Sequence, residues 1–246
     1  MKGDHQVVAA IVIFFIGTFF GFLISDKPFL LSFKDYLPAI TTLIAAFLGA
    51  RYAFKLNLAK EQRDEKKKNI VAGNLAVFNL IKMLNVLLNY QNQIIAPVRD
   101  KPLAFIEMRP TLHLLEDDIN LDLSRLSFLL NSENPNLLGE LAAEKSKFKR
   151  TLDAINERSQ HHIYRLQPIL ERNGIRESES YSLSQFEETL GPQLFVTMQQ
   201  STKEIIESVD STISSMQIAC GTLTSALKEI FPNETIISYS LPQINP

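Results

Sequence analysis

The chain has 246 residues, with 25 Lys and Arg against 27 Asp and Glu, a net charge of −2, one Cys and no Trp. At 46% hydrophobic and 21% charged it falls outside disordered and fibrous compositions, and a single cysteine excludes a disulfide framework or a cysteine zinc cluster. A pI near 6.1 gives no overall basic field for nucleic acid. The averages conceal a split. Residues 1–68 hold 10 basic and 6 acidic side chains, residues 69–246 hold 15 and 21, and nine of the 16 Phe precede Lys55.

Val7 to Ile24 is an eighteen-residue run without a charge, which as a helix covers roughly 27 Å and reads as a membrane span. A cleaved signal peptide fits less well, because the run is long for one and no small-x-small site follows. Residues 25–36 form a short loop with two Lys and two Asp. A second span, residues 37–54, is expected to open with Pro38 in its first turn, where the missing N–H costs nothing. Arg51, near its end, snorkels to the interface in preference to lining a pore. Gly17 and Gly21 make a GxxxG, and Ala45, Gly49 and Ala53 repeat small residues every four positions. Such spacing lets helix backbones approach closely, either between chains or within one hairpin.

Residues 55–68 form a basic neck. Arg51, Lys55, Lys60, Arg63, Lys66, Lys67 and Lys68 follow one another within eighteen positions. Positive residues stay on the cytoplasmic side, so both termini are expected inside and the loop outside. Each basic side chain near anionic headgroups gains about 1 kcal/mol, and lipid contact is preferred over docking of an acidic or nucleic-acid partner. Continuation from the second span favours a helical neck.

Residues 69–231 read as a cytosolic helical domain. A helix from Asn69 to Ile95 is rich in Leu, Ile and Val but carries Asn74, Asn79, Asn85, Asn89 and Asn92, so burial must hold it together. A proline-rich loop follows, then a helix over Thr111 to Leu130. A third helix is capped by Asn134 with Pro135 at its first position, and in it Leu141, Phe148, Ile155, His162 and Ile169 recur every seven residues. Pro168 should kink or end it and Asn173-Gly174 closes it. Ser184 and Glu187 resemble a capping box opening a short helix. The last helix runs to Phe231, with apolar or small residues from Phe195 to Ile230 at a mean spacing of 3.5. Antiparallel packing on the third helix is preferred over self-association for this seam. In the tail, residues 232–246, only IISYSL resembles a strand. The fold class is therefore all-α: a two-helix membrane hairpin, then a helical bundle with a long C-terminal helix.

No nucleotide-binding, nucleophile-elbow or zinc-protease motif occurs. His113, Glu116 and Asp117 share a helical face that a metal could use, although a solvated acidic face is the more usual explanation. Asp118, Asn120 and Asp122 begin like a calcium loop that fails at Leu123 and Leu129. His161 and His162 diverge by about 100° on a helix and make no shared site. Cys220 reads as a buried thiol on the seam. No catalytic residue, metal or cofactor is expected.

The run FLGARYAFKLNLAKEQRDEKKKNIVAGNLAVFNLI, Phe47 to Ile81, resembles the neck of small bacterial proteins with two N-terminal spans and a helical cytosolic part. Among these the chain resembles the transmembrane effectors encoded beside the reverse transcriptase in retron antiphage systems. That resemblance implies an inner-membrane toxin held silent by a reverse transcriptase and its RNA–DNA product, acting by membrane damage that stops the infected cell. The alternative is a membrane-anchored helical interaction module, tethering a cytosolic complex through the 195–230 seam. A membrane-bound hydrolase using the Glu116 to Asp122 cluster is a third reading. The expected partners are the lipid bilayer and further copies of the chain.

Overall fold

The computed structural model describes residues 29–111, 119, 121–175 and 181–238. All regular structure among them is helical, as the composition and periodicity require. The chain divides into two compact units, Met1–Asp64 and Glu65–Pro246. The first expected span, with Gly17 and Gly21, lies outside the described residues, as does the hairpin it would complete.

Helix α1, Phe29–Tyr90, is 62 residues long. It begins nine residues before Pro38, so residues 29–36, expected as loop, are helical and Pro38 is internal. A proline removes one helical hydrogen bond. Its own carbonyl accepts from the hydroxyls of Thr41 and Thr42 at 2.9 and 2.7 Å. The neck is helical throughout, as expected.

In the second unit α1 is amphipathic for a simple reason. Ala76, Val77, Leu80, Met83, Leu84 and Leu87 fall on one face at three- and four-residue steps and are all buried. Asn85, Asn89 and Asn92 take exposed positions and Asn74 bonds the tail, so four of the asparagines that lower helix propensity leave the core to the aliphatic residues. The helix ends in a π-turn, Gln91–Ile95. An irregular segment with one short helix, α2 (Ala104–Glu107), then leads to Thr111. Of the helix expected over Thr111 to Leu130, residues 112–118 and 120 lie outside the described residues. The remainder is a 3-10 helix, Leu123–Asn131, capped by the Asp122 carboxylate accepting from Ser124 N–H at 3.1 Å.

Helix α3, Leu137–His161, starts later than expected, because the Leu137 N–H first closes a turn on the Asn134 carbonyl at 3.3 Å and no side chain caps the helix. Pro168 does not break the chain direction. A π-turn, His162–Leu166, precedes α4, Gln167–Arg172, and the proline falls in the opening turn of α4, where a missing N–H is tolerated. Gly174, at φ +67°, closes this segment as read from Asn173-Gly174. The capping box lies two residues earlier than expected: Ser182 Oγ accepts from Gln185 N–H, and Gln185 Oε1 accepts from Ser182 N–H at 2.8 Å. It opens α5, Leu183–Leu190.

Helix α6, Pro192–Ile230, is 39 residues long. Phe195, Met198, Thr202, Ile205, Val209, Ile213, Met216, Cys220, Leu223 and Leu227 are buried along it, so the seam is spent inside the unit. Its polar contacts fix the direction: Glu144 meets Ser215, Thr151 meets Ser208 and Thr212, and Arg158 meets Thr202. Rising numbers on α3 meet falling numbers on α6, which is antiparallel packing. At Gly73 α1 comes so close to α6 that a Cβ there would lie 2.5 Å from Leu227 Cδ2. The described part of the tail forms no strand; Asn74 binds it by donating to the Thr235 carbonyl at 3.0 Å and accepting from Ile237 N–H at 2.9 Å.

Two apolar clusters result. The larger joins α1, the 3-10 helix, α3 and α6. The smaller gathers Phe105, Leu166, Phe186, Leu190, Phe195 and Met198.

Candidate functional site

Two features depart from what a water-soluble helical domain needs. The first is on α1 in the first unit. Leu43, Ile44, Leu48, Tyr52, Phe54, Leu56 and Leu58 are all exposed, between 44% and 69%. Contiguous apolar exposure of this kind marks a membrane or protein contact. Ala45, Gly49 and Ala53 lie at four-residue steps, all exposed, and a Cβ at Gly49 would meet nothing within 4 Å.

By length and composition α1 can cross a membrane: the stretch Ile40–Ile95 holds an 18-residue window of mean hydropathy 1.7, 44% of it buried. No residue from 41 to 68 is buried. A window that is 44% buried must therefore draw on the part of α1 that enters the core of the second unit. The exposed belt and this partly buried window are different parts of one helix.

The basic residues follow the belt. Arg51, Lys55, Lys60 and Arg63 in the first unit are exposed, as are Lys66, Lys67 and Lys68 in the second. Lys66 contacts Glu234 of the tail at 2.8 Å.

The second feature is a set of buried polar groups in the second unit. Arg158, 1% exposed, donates from Nε to Thr202 Oγ1 at 3.1 Å and from Nη2 to the carbonyls of Phe105 and Met108 at 3.2 and 2.8 Å. No described carboxylate pairs with it, and Nη1 has no partner. Burial pulls the guanidinium down to about 10, so it stays charged at neutral pH. Burial also raises the phenol of nearby Tyr90, whose hydroxyl lies 3.9 Å from Met108 Sδ.

One turn further along, His162 holds the Ile106 carbonyl from Nε2 at 3.2 Å. A carbonyl only accepts, so Nε2 carries the proton and the unpartnered Nδ1 presents a lone pair. Burial, with Arg158 nearby, holds this imidazole below its ordinary 6.5. Ser159 Oγ accepts from Thr111 N–H at 3.2 Å. On α6, Asp210 accepts from Gln91 Nε2 at 2.7 Å and from both Arg99 Nη atoms at 2.6 and 2.9 Å. Those bonds, led by the one from Arg99, keep its carboxyl below the ordinary range.

His162 appeared in the sequence as an apolar-seam position, and it is buried there. Arg158 and Asp210 went unnoticed. Glu144, Thr151 and Arg158, seven apart beside the α3 seam, were the available signal, since each faces α6. His113, Glu116, Asp117, Asp118 and Asn120 lie outside the described residues. Among the described residues no group of His, Cys, Asp and Glu could hold a metal ion. Cys220 is buried with its thiol pushed up by burial, an unreactive setting. Comparison of the chain with protein-family models, curated proteins and solved structures finds no match.

Proposed function

We propose that the chain is a non-enzymatic inner-membrane effector, whose apolar N-terminal helices sit in the bilayer and whose helical second unit, in the cytosol, controls their assembly. The observation that carries the reading is the exposed belt Leu43 to Leu58 on α1. In water its exposed aliphatic and aromatic side chains would cost roughly 25 cal/mol for each Å² of apolar surface, a cost that hydrocarbon removes. Arg51, Lys55, Lys60 and Arg63 then meet anionic headgroups on the cytoplasmic face. The open face at Ala45, Gly49 and Ala53 accepts a second helix, from the same chain or from another copy, by close backbone contact.

The resemblance to retron effectors supplies the biological role in this reading. The protein stays silent under a reverse transcriptase with its RNA–DNA product, and on release damages the inner membrane in abortive infection. Purified protein added to liposomes rich in anionic lipid tests the membrane half of the proposal. Release of an entrapped dye supports it, and stable insertion without any release contradicts it.

The rival, a membrane-anchored interaction module, has one observation in its favour. Val71, Leu75 and Phe78 form an exposed stripe on α1 in the second unit, at 65%, 42% and 49% exposure. The 195–230 seam, its original candidate surface, is occupied by α3 and the rest of the core. Recovery of a stable cytosolic partner from cells with an intact membrane potential, lost on changing Phe78 to Asp, favours the rival.

A further inference from the structure

The polar groups buried in the second unit converge on one segment. Residues 96–111 follow the π-turn that ends α1 and are held from two sides, by their backbone on one and by the Arg99 side chain on the other. From α3 and the π-turn after it, Arg158 takes the carbonyls of Phe105 and Met108, His162 takes that of Ile106, and Ser159 takes the N–H of Thr111. From α6, Asp210 takes Arg99 of the segment and Gln91 of the π-turn in a single carboxylate. Gln91 and His162 each open a π-turn, a feature that helices retain at functional positions more often than elsewhere.

Apolar contact alone does not account for this arrangement. Phe105 packs edge-on to Phe195 with centroids 5.2 Å apart in the smaller cluster, while Met108 belongs to the larger one, so the segment bridges the two. Beside Phe105, an open cleft of about 280 Å³ is lined by Pro102 and Ala104 of the segment and by Gln199, Lys203 and Ile206 of α6. The fastening carries an energetic cost as well: among the described residues the buried guanidinium has no carboxylate, and two buried polar atoms have no partner. The segment is thus held by costly polar bonds together with the buried side chains of Val98, Phe105 and Met108, beside an open cleft.

We propose that residues 96–111 are a latch, closed by Arg158, Ser159 and His162 on one side and by Asp210 on the other, which opens as a unit while α3 and α6 stay packed. Opening releases Gln91 and Arg99 together, and with them the end of α1. The inference concerns the second unit alone and stands or falls separately from the membrane reading.

Hydrogen exchange of the full chain in detergent micelles tests it. The reporters are the amides of Lys101, Ala104, Ile106, Glu107 and Met108, each bonded within the segment, read against amides of α3 and α6 around Ile155 and Val209. In the wild type the segment is expected to exchange faster than the two helices. Arg158→Met and Asp210→Asn are each expected to speed exchange of the segment by about tenfold or more, with α3 and α6 unchanged. Segment and helices changing together in both variants, or no change in either, overturns the latch. Should Arg158→Met fail to fold, Asp210→Asn, at a half-exposed residue, decides the matter alone.

Discussion

Arg158 is where the second unit departs furthest from a plain hydrophobic core. Its guanidinium has three good acceptors, yet each is neutral, and the titratable group that favours its charge is the buried phenol of Tyr90. Thr202 holds the Nε side. Thr202→Val keeps the volume but strands that donor, and is expected to cost about 1–3 kcal/mol in urea unfolding with an unchanged m-value. A loss below the measurement error would mean that the guanidinium finds another acceptor.

His162 gives the pH dependence. Its folded-state value lies below the ordinary 6.5, so the folded protein binds fewer protons there than the unfolded chain. The contribution is complete above 6.5 and is lost as pH falls through the depressed value. Asp210 acts in the same direction at lower pH, since its carboxyl is held below 3.8 by Arg99 and Gln91. Stability should therefore fall between pH 7 and 5 because of His162, and further below pH 4 because of Asp210. His162→Gln preserves a donor for the Ile106 carbonyl without a titrating ring. Urea midpoints of this variant should vary less between pH 7 and 5 than those of the wild type, and equal slopes would remove His162 from the explanation.

At the level of the elements, α6 and α1 carry the two kinds of apolar face that a helix can have. The α6 seam is buried from Phe195 to Leu227, so Leu223→Ala should cost about 2–5 kcal/mol by leaving a cavity. The α1 belt belongs to neither apolar cluster among the described residues, and substitutions there should spare the stability of the second unit. Gly49→Leu, with open space around it, is expected to leave unfolding of that unit and the amount of membrane-bound protein unchanged while abolishing toxicity. Wild-type toxicity in that variant would show that the small-residue face does not serve assembly.

The periodicity of α6 was legible because its apolar steps from Phe195 to Leu227 are buried. The start of α1 was not, since Pro38 reads equally as a first-turn residue or as an internal one. The capping box shifted by two residues because Ser182 and Ser184 each precede a residue able to complete it, and local sequence does not choose between them. Of the candidate sites, the belt and basic run could be read from hydropathy and charge. The latch could not, because its bonds join residues separated by 48 to 119 positions and end largely on backbone carbonyls, which sequence patterns do not record.

For the molecule as a whole, the near-neutral composition is a sum of two differently built halves. One carries exposed Leu and Phe followed by lysines, the other a closed helical core with an acidic balance. The exposed belt suits an apolar surrounding, and the second half adds a segment fastened to the buried Arg158. The effector reading gives each half a task. Its most direct test is the membrane potential of bacteria after induction of this chain alone, followed with a potential-sensitive dye. Depolarisation soon after induction, ahead of loss of viability and absent for Gly49→Leu, is the predicted result. An undisturbed potential and normal growth, with the wild-type protein present in the membrane fraction, would contradict it.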